Sequence, residues 1–375
     1  MVFDLDLSEE QSALVGVVSD LAANVLDPAA RAAEADATVP ATVWARLLEL
    51  GVTNPVAVEH GGGGIPDAVS WLMAVEGLAH GDPGIAAAAT WSGNAALLIG
   101  ACGTAAQRTT HLPLFVAEVD RRGACAHHEG FGRAPSEYAT TFTRTPGGWR
   151  VAGRKVAVTF VGEADPLVVV GVDAADGRLR AAIVPPSAAG VDRQPGSVGH
   201  LGLDAARIGA VELDVEVGEA DLVGGPDADP DLLGRVLARL RLSTAALALG
   251  TARRAREHAS AYAVERIAFA KPIAAFQGVS FMMAEAEMQI AAARLELWDA
   301  AVSLDRAGIG DLERAVSLAV NYANAVACSV TRDAVQVLGG HGFIEDHPVE
   351  RWYRCAAALS AVDFDPTCVP FAAAL

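Results

Sequence analysis

The chain has 375 residues, 52% of them hydrophobic and 20% charged, with a formal net charge of −18. That length allows two or three domains with well-buried cores and excludes a disordered chain. The acidic balance argues against nucleic acid or an anionic membrane as partner, although a local arginine cluster can still hold an anionic ligand. Five cysteines (Cys102, Cys125, Cys328, Cys355 and Cys368) are scattered and form no CxxC pair. They point to neither a disulfide framework nor zinc, and they fit a reducing cytoplasm. The N-terminus, MVFDLDLSEEQ, lacks a basic region followed by an apolar one, so no signal peptide is expected. No apolar run reads as long enough to span a bilayer.

In chain order, Ser8 and Gln11 form a capping box that opens a helix, with apolar residues at helical spacing until Pro28. Further helices are expected after Pro40, from Pro66–Asp67 to about His80, from about Ile85 to Leu98, and from Thr104 to about Val119. The glycines Gly61 to Gly64 read as a flexible connection without chemistry. The period then changes. Tyr138–Thr145 and Trp149–Thr159 alternate around a Pro146–Gly148 turn, and Leu167–Val172, Leu179–Val184 and Ile208–Val217 continue as strands. From about Asp231 the helical period returns in four runs, Leu232–Glu265, Gln277–Asp305, Leu312–Leu338 and Val349–Val362, joined by short connections. The fold expected is α+β. It has an N-terminal helical domain (1–121), a middle antiparallel β-barrel domain (122–228) and a C-terminal four-helix bundle (229–375).

Two stretches carry a pattern beyond packing. Arg266, Phe269, Pro272 and Gln277 stand between the first two bundle helices, and residues 331–354 read TRDAVQVLGGHGFIEDHPVERWYR. Adjacent glycines at a helix end let backbone N–H groups face a large polar ligand, but they serve equally as a plain C-cap. Together the two stretches resemble the acyl-CoA dehydrogenase family, with its R-x-x-F-G-x-P-I-x-x-x-Q and Q-x-x-G-G-x-G-[YF] segments. The resemblance covers nearly the whole chain and implies that family's three-part fold.

It also implies FAD as cofactor. Arg266 would hold the pyrophosphate of a neighbouring subunit's FAD, because a guanidinium fork matches phosphate oxygens; otherwise it is a solvated helix-end arginine. Gln336, Gly339 and Gly340 would contact the adenosine half across a dimer interface, with Phe269 and Gln277 completing that segment. Ala270 departs from the family's glycine. In the β domain, where the family has T-E-P followed by G-S-D, this chain has His127-His128-Glu129-Gly130 and then Arg133-Ala134-Pro135-Ser136, with His128 where the Thr is expected, and W-I-T becomes Ala157-Val158-Thr159, so only Thr159 survives. The indole that would pack on the flavin is missing. His127, His128 and Glu129 are expected on a strand with alternating faces, and no metal site is expected.

The resemblance implies removal of the α-proton of an acyl thioester by a carboxylate while a hydride leaves the β-carbon. An ungapped count from Pro348-Val349-Glu350-Arg351 places that carboxylate at Asp363, one methylene shorter than the family's Glu. The alternative is a solvated loop carboxylate beside Asp365, and both readings stand. The family's second location for the base, just before an arginine on the first bundle helix, holds Leu240 before Arg241. Arg241 is either that active-site arginine or a surface charge among Arg235 and Arg239, while Arg253, Arg254 and Arg256 read as a solvated face.

The half that reaches to a neighbour's cofactor is thus better kept than the half that would hold this chain's own. The resulting expectation is a subunit like those of the α2β2 steroid acyl-CoA dehydrogenases of actinobacteria, acting on an acyl-CoA with a homologous partner subunit and an electron-transfer flavoprotein. The alternatives are a self-sufficient homo-oligomer using Asp363 and a scaffold without flavin.

Overall fold

The structure is a computed structural model. It describes residues 6–130, 135–185, 188–196, 202–304, 306 and 308–362. Helix α1 (Glu9–Leu21) opens on the capping box, with the Ser8 hydroxyl accepting from the Gln11 amide at 3.1 Å. The helical path does not end at Pro28. It passes through a π turn (Ala22–Leu26) into α2 (Asp27–Ala35), because Pro28 falls in the first turn of α2, where no amide donor is needed. α3 (Ala41–Glu49), α4 (Ala68–Gly81), α5 (Pro83–Cys102) and α6 (Ala105–Ala117) follow.

Residues 9–35 and 83–102 are both long and apolar enough to cross a membrane, which corrects the sequence expectation. α5 reads so because it is buried from Pro83 to Ile99 in the middle of the fold. The 9–35 run places Val18, Leu21 and Leu26 on the same core.

The middle region holds β1 (Ala124–Ala126), β2 (Thr141–Thr145), β3 (Gly148–Val158), β4 (Leu167–Asp173), β5 (Leu179–Val184), β6 (Val191–Pro195) and β7 (Gly209–Val217). They form one sheet in the order β1-β4-β2-β3-β7-β6, with β5 also on β4. The sheet is mixed, not antiparallel, because β4 runs parallel to both β1 and β2. Among the described residues it does not close into a barrel. β1 and β6 escaped the sequence reading for different reasons: β1 is three residues long, and β6 (VDRQP) is a polar edge strand without alternation.

The C-terminal region is built on α7 (Pro230–Glu265), α8 (Gln277–Ser303), α9 (Ile309–Leu338) and α10 (Val349–Val362). Between α7 and α8 lies a small hairpin of β8 (Ile267–Ala268) and β9 (Lys271–Pro272). α7 is the axis of the molecule, packing on α4, α5, α8, α9 and α10. Its side towards α4 and α5 is made of small residues, with Ala245, Ala246, Ala248 and Ala252 buried. Arg253, Arg254 and Arg256 are not a solvated face. They are half-buried and paired with Glu76, Asp27 and Glu287 at 3.4, 3.0 and 2.7 Å, and Arg294 of α8 joins Glu76 at 2.7 Å. The pairs to Glu76 and Asp27 tie the N-terminal helices to the bundle, and Arg256–Glu287 joins α7 to α8.

The α4–α7 crossing depends on Gly250, where an added Cβ would lie 2.1 Å from the Glu76 carbonyl oxygen and 2.9 Å from the Ala79 Cβ. Overpacking of this kind costs about 1–3 kcal/mol. Gly250→Ala should therefore lower the thermal unfolding midpoint. Gly278→Ala, with nothing within 4 Å of the new Cβ, should leave it unchanged or raise it in the same differential scan.

Candidate functional site

Two separate regions gather the residues singled out above. The first is the cleft between the sheet and the bundle. Arg241 is buried on α7, with its two terminal nitrogens 3.4 Å from the Ser317 hydroxyl of α9. It is no surface charge. It lines a cavity of about 130 Å³ with Leu237, Ala238, Leu312, Gly177 and Leu179, so the β4–β5 turn closes over the paired helices. His127, His128 and Glu129 lie just beyond β1 and not on a strand, and the two imidazoles stack at 3.9 Å. Burial pushes the half-buried His128 down to about 3, and the Arg241 and Lys155 charges add to the effect, so its ring is neutral at physiological pH.

Glu129 makes a buried ion pair with Lys155 at 2.7 Å and accepts from the Ala139 and Thr140 amides at 2.6 and 2.9 Å. Burial alone would raise the Glu129 carboxyl, but Lys155 and these donors hold it below its usual range. Lys155 also stands 4.0 Å from the centre of the Tyr138 ring. The sequence carried a signal for this pair. Trp149, Val151 and Lys155 share one face of β3, so a lysine stands at an inward position.

Beyond Lys155 the β3–β7 pairing is interrupted by a bulge, and Ala157 adopts a left-handed φ of 53°. The residue in place of the family's tryptophan therefore adds only a methyl at a distorted backbone position. Thr159 is buried, and its hydroxyl donates to the Ala206 carbonyl at 2.7 Å. Asp363 lies outside the described residues. Val362, the last residue before it, packs against the same core as Ala157.

The second region is the far end of the bundle. Arg266 caps the C-terminus of α7, Gln277 starts α8, and Gln336, Gly339 and Gly340 end α9. The structure brings these together with Phe269. Tyr262, one turn before Arg266, has its hydroxyl 2.8 Å from His341 Nδ1 in the turn that follows Gly339. Beneath them Ala263, Met283, Val337, Leu338 and Trp352 form one small core. Arg266, Gln277, Gln336 and Gly340 are exposed, and Phe269 is 91% exposed.

Phe269 and Ala270 are the two central residues of a type I′ hairpin turn, with φ of 54° and 66°. Left-handed geometry costs non-glycine residues about 1–2 kcal/mol each, so the turn holds the phenyl ring out at some strain. Added Cβ atoms at Gly339 and Gly340 would meet nothing within 4 Å. The N-terminus of α8 has no side-chain cap. A guanidinium, two amide side chains, open glycine backbone and uncapped helix N–H groups suit the phosphate and adenosine half of FAD. The cleft suits the flavin ring poorly. Ala157 offers no flat surface, and the Thr159 proton is already given to Ala206.

Two models of known families match the chain: "Acyl-CoA dehydrogenase, N-terminal domain" over residues 8–118 and "Acyl-CoA dehydrogenase, C-terminal domain" over residues 232–363. An acyl-CoA dehydrogenase of Bacillus subtilis is 30% identical over 365 residues, covering 94% of this chain and 93% of that protein. The structure of butyryl-CoA dehydrogenase from Megasphaera elsdenii superposes with a TM-score of 0.83 at 27% identity, covering 97% of both chains. A chain in the structure of the electron transferring flavoprotein of Acidaminococcus fermentans gives 0.83, also at 27% identity and 97% coverage of both. The protein belongs to the acyl-CoA dehydrogenase family, a family of oxidoreductases.

Two outcomes follow from this geometry. Lys155→Met leaves Glu129 buried and unpaired and should destabilise the protein by about 3–5 kcal/mol, whereas adding Glu129→Gln should recover part of the loss in a double-mutant cycle by denaturant unfolding. Ala270→Gly relieves a left-handed alanine and should stabilise by about 1 kcal/mol, read as a raised unfolding midpoint.

Proposed function

We propose that this chain is a subunit of an FAD-dependent acyl-CoA dehydrogenase that forms the α,β double bond of an acyl-CoA thioester in an active site completed by a homologous partner subunit. The observation that carries this reading is a separation. Arg241 and Arg266 stand twenty-five residues apart along one unbroken helical path. At about 1.5 Å per residue that is about 37 Å. One chain cannot bring both ends to one cofactor, so the exposed end formed by Arg266, Phe269, Gln277, Gln336, Gly339 and Gly340 serves a neighbour. Exposed Phe281, Met288, Leu295 and Val302 recur every seven residues along α8 and supply an apolar face for such a neighbour.

Bound FAD supplies the acceptor for the hydride that leaves the substrate β-carbon. The chain's own contribution in the cleft is a buried guanidinium, Arg241, which lines the small cavity, with a neutral imidazole, His128, within reach of its charge. The reading extends to an acyl group on a steroid side chain, an extension that the sequence resemblance alone implies. The match to a chain of an electron transferring flavoprotein structure supports a partner of that kind as electron acceptor. The unpaired described cysteines accord with a cytoplasmic setting.

A self-sufficient homo-oligomer is the competing reading. It is favoured by the ungapped count that places a carboxylate, Asp363, immediately after α10, which ends at Val362. A third reading, a scaffold without flavin, is the outcome if no colour forms. The test is a visible spectrum of the chain purified alone and after co-expression with an adjacently encoded homologue. Flavin colour only with the partner, lost on Arg266→Ala, is the expected result. Colour in the chain alone, with acyl-CoA bleaching abolished by Asp363→Asn, would establish the homo-oligomer instead.

A further inference from the structure

Four rings at the far end of the bundle join α7 to the segment after α9, with Tyr262 packed on the small core and His341 exposed in the turn. His258 Nε2 and His347 Nδ1 are 3.1 Å apart, and the Tyr262 hydroxyl is 2.8 Å from His341 Nδ1. His341 and His347 face each other at 5.9 Å between centroids, and Tyr262 stands edge-on to His347 at 5.5 Å. His258 and Tyr262 are one turn apart on α7, while His341 and His347 lie in the segment between α9 and α10. These two bonds therefore join the rigid rod to the segment that begins with Gly339 and Gly340. Backbone freedom at Gly339, with its φ of 58°, leaves that segment dependent on side-chain ties for its shape.

We infer that the His258–His347 and Tyr262–His341 bonds are fasteners that hold the Gly339–Phe343 turn in its nucleotide-gripping form, and that acid releases the first of them. This rests on the reading of that end as a contact for FAD. A nitrogen-to-nitrogen bond between two imidazoles needs at least one bare lone pair, so it survives single protonation and fails when both rings are charged. The charged and titratable neighbours sharpen this. Arg254, one turn before His258, lies 5.6 Å from the Trp352 ring centre and is paired with Asp27 of α2 at 3.0 Å. On the segment side, Arg31 of α2 donates to the Glu345 carbonyl at 2.9 Å.

Burial pushes His258 below its ordinary value, and the His347 and Arg254 charges add to this against the opposing pull of Asp27. A histidine lowered in the folded state binds its proton less readily than in the unfolded chain. The bond is therefore complete at and above the ordinary histidine range and is lost as pH falls below it. His258 and His347 are positioning residues, since neither reaches the reacting atoms.

The test is FAD affinity of the full assembly, followed by recovery of flavin fluorescence, at about pH 8 and about pH 4.5, in wild type, His347→Phe and Tyr262→Phe. Loss of one such hydrogen bond corresponds to about a tenfold weaker Kd. The wild type should weaken about tenfold or more in acid. His347→Phe, which keeps a ring but cannot form the bond, should be weak at both pH values with a flat profile. Tyr262→Phe should be weaker at both and keep the slope. A wild-type slope in His347→Phe overturns the inference while leaving FAD binding intact. Absence of FAD binding at either pH overturns the functional reading itself, and the fastener's role with it.

Discussion

Helix α7 is the constraint on which the rest of the molecule depends. It runs for 36 residues without a break, about 54 Å at the usual rise. An isolated helix of that length with twenty buried positions would not be stable as a single soluble rod. It is stable here because α4, α5, α8, α9 and α10 surround it. The residues that let them approach are small: Ala245, Ala248, Gly250 and Ala252. The two arginines at Arg241 and Arg266 inherit their separation from this rod. No side-chain rearrangement can bring them to a common ligand.

The rod is also anchored to the N-terminal helices by polar contacts buried within a largely apolar interface. Trp71 and Trp91 donate their indole N–H groups to the Ser243 and Thr244 hydroxyls at 2.9 and 3.2 Å, and both hydroxyls also contact backbone carbonyls one turn earlier on α7. Glu76 is buried and takes Arg294 through several contacts of 2.7 to 3.3 Å. Buried polar groups of this kind add little net stability, but mispairing them is costly, so they fix the register between helices whose alanine-rich faces would otherwise slide. The serine and threonine lie just past Arg241, so the same contacts that set the helix register also set where the guanidinium sits over the cleft.

Much of the architecture was legible because it rests on local periodicity. The four bundle helices, the Ser8 capping box and the β2–β3 hairpin follow from patterns within ten to thirty residues. What was not legible depends on contacts between distant residues. Parallel pairing of β4 with β1 and β2 joins segments about thirty to forty residues apart, and nothing in either strand's own alternation announces direction. The arginines at 253, 254 and 256 read as solvated because their acidic partners, Glu76, Asp27 and Glu287, lie on other helices. Pro28 misled for a local reason, since a proline in the first turn of a helix looks in sequence like a helix end. Of the candidate site, the end-of-bundle residues were singled out through the family resemblance, since their spacing alone fits a plain C-cap equally well. The burial of Arg241 and the Lys155–Glu129 pair needed the packed sheet.

The contrast between the two regions has a physical basis beyond residue identity. The far end leaves groups open to the outside: the glycines are open, the phenyl ring of Phe269 is held out by a strained turn, and the N-terminus of α8 has no side-chain cap. Each of these is a cost to an isolated chain, in exposed apolar surface, left-handed backbone or unmet N–H groups. The cleft is the reverse. The Thr159 hydroxyl, the Glu129 carboxylate and Lys155 are satisfied internally, and burial keeps His128 uncharged. A surface that carries unmet cost has something to gain from a partner, whereas a cleft that has met its own needs gains less from a cofactor. This difference in satisfaction, more than the loss of any single family residue, is the physical argument behind the proposal that the chain's stronger cofactor contact is the exposed far end.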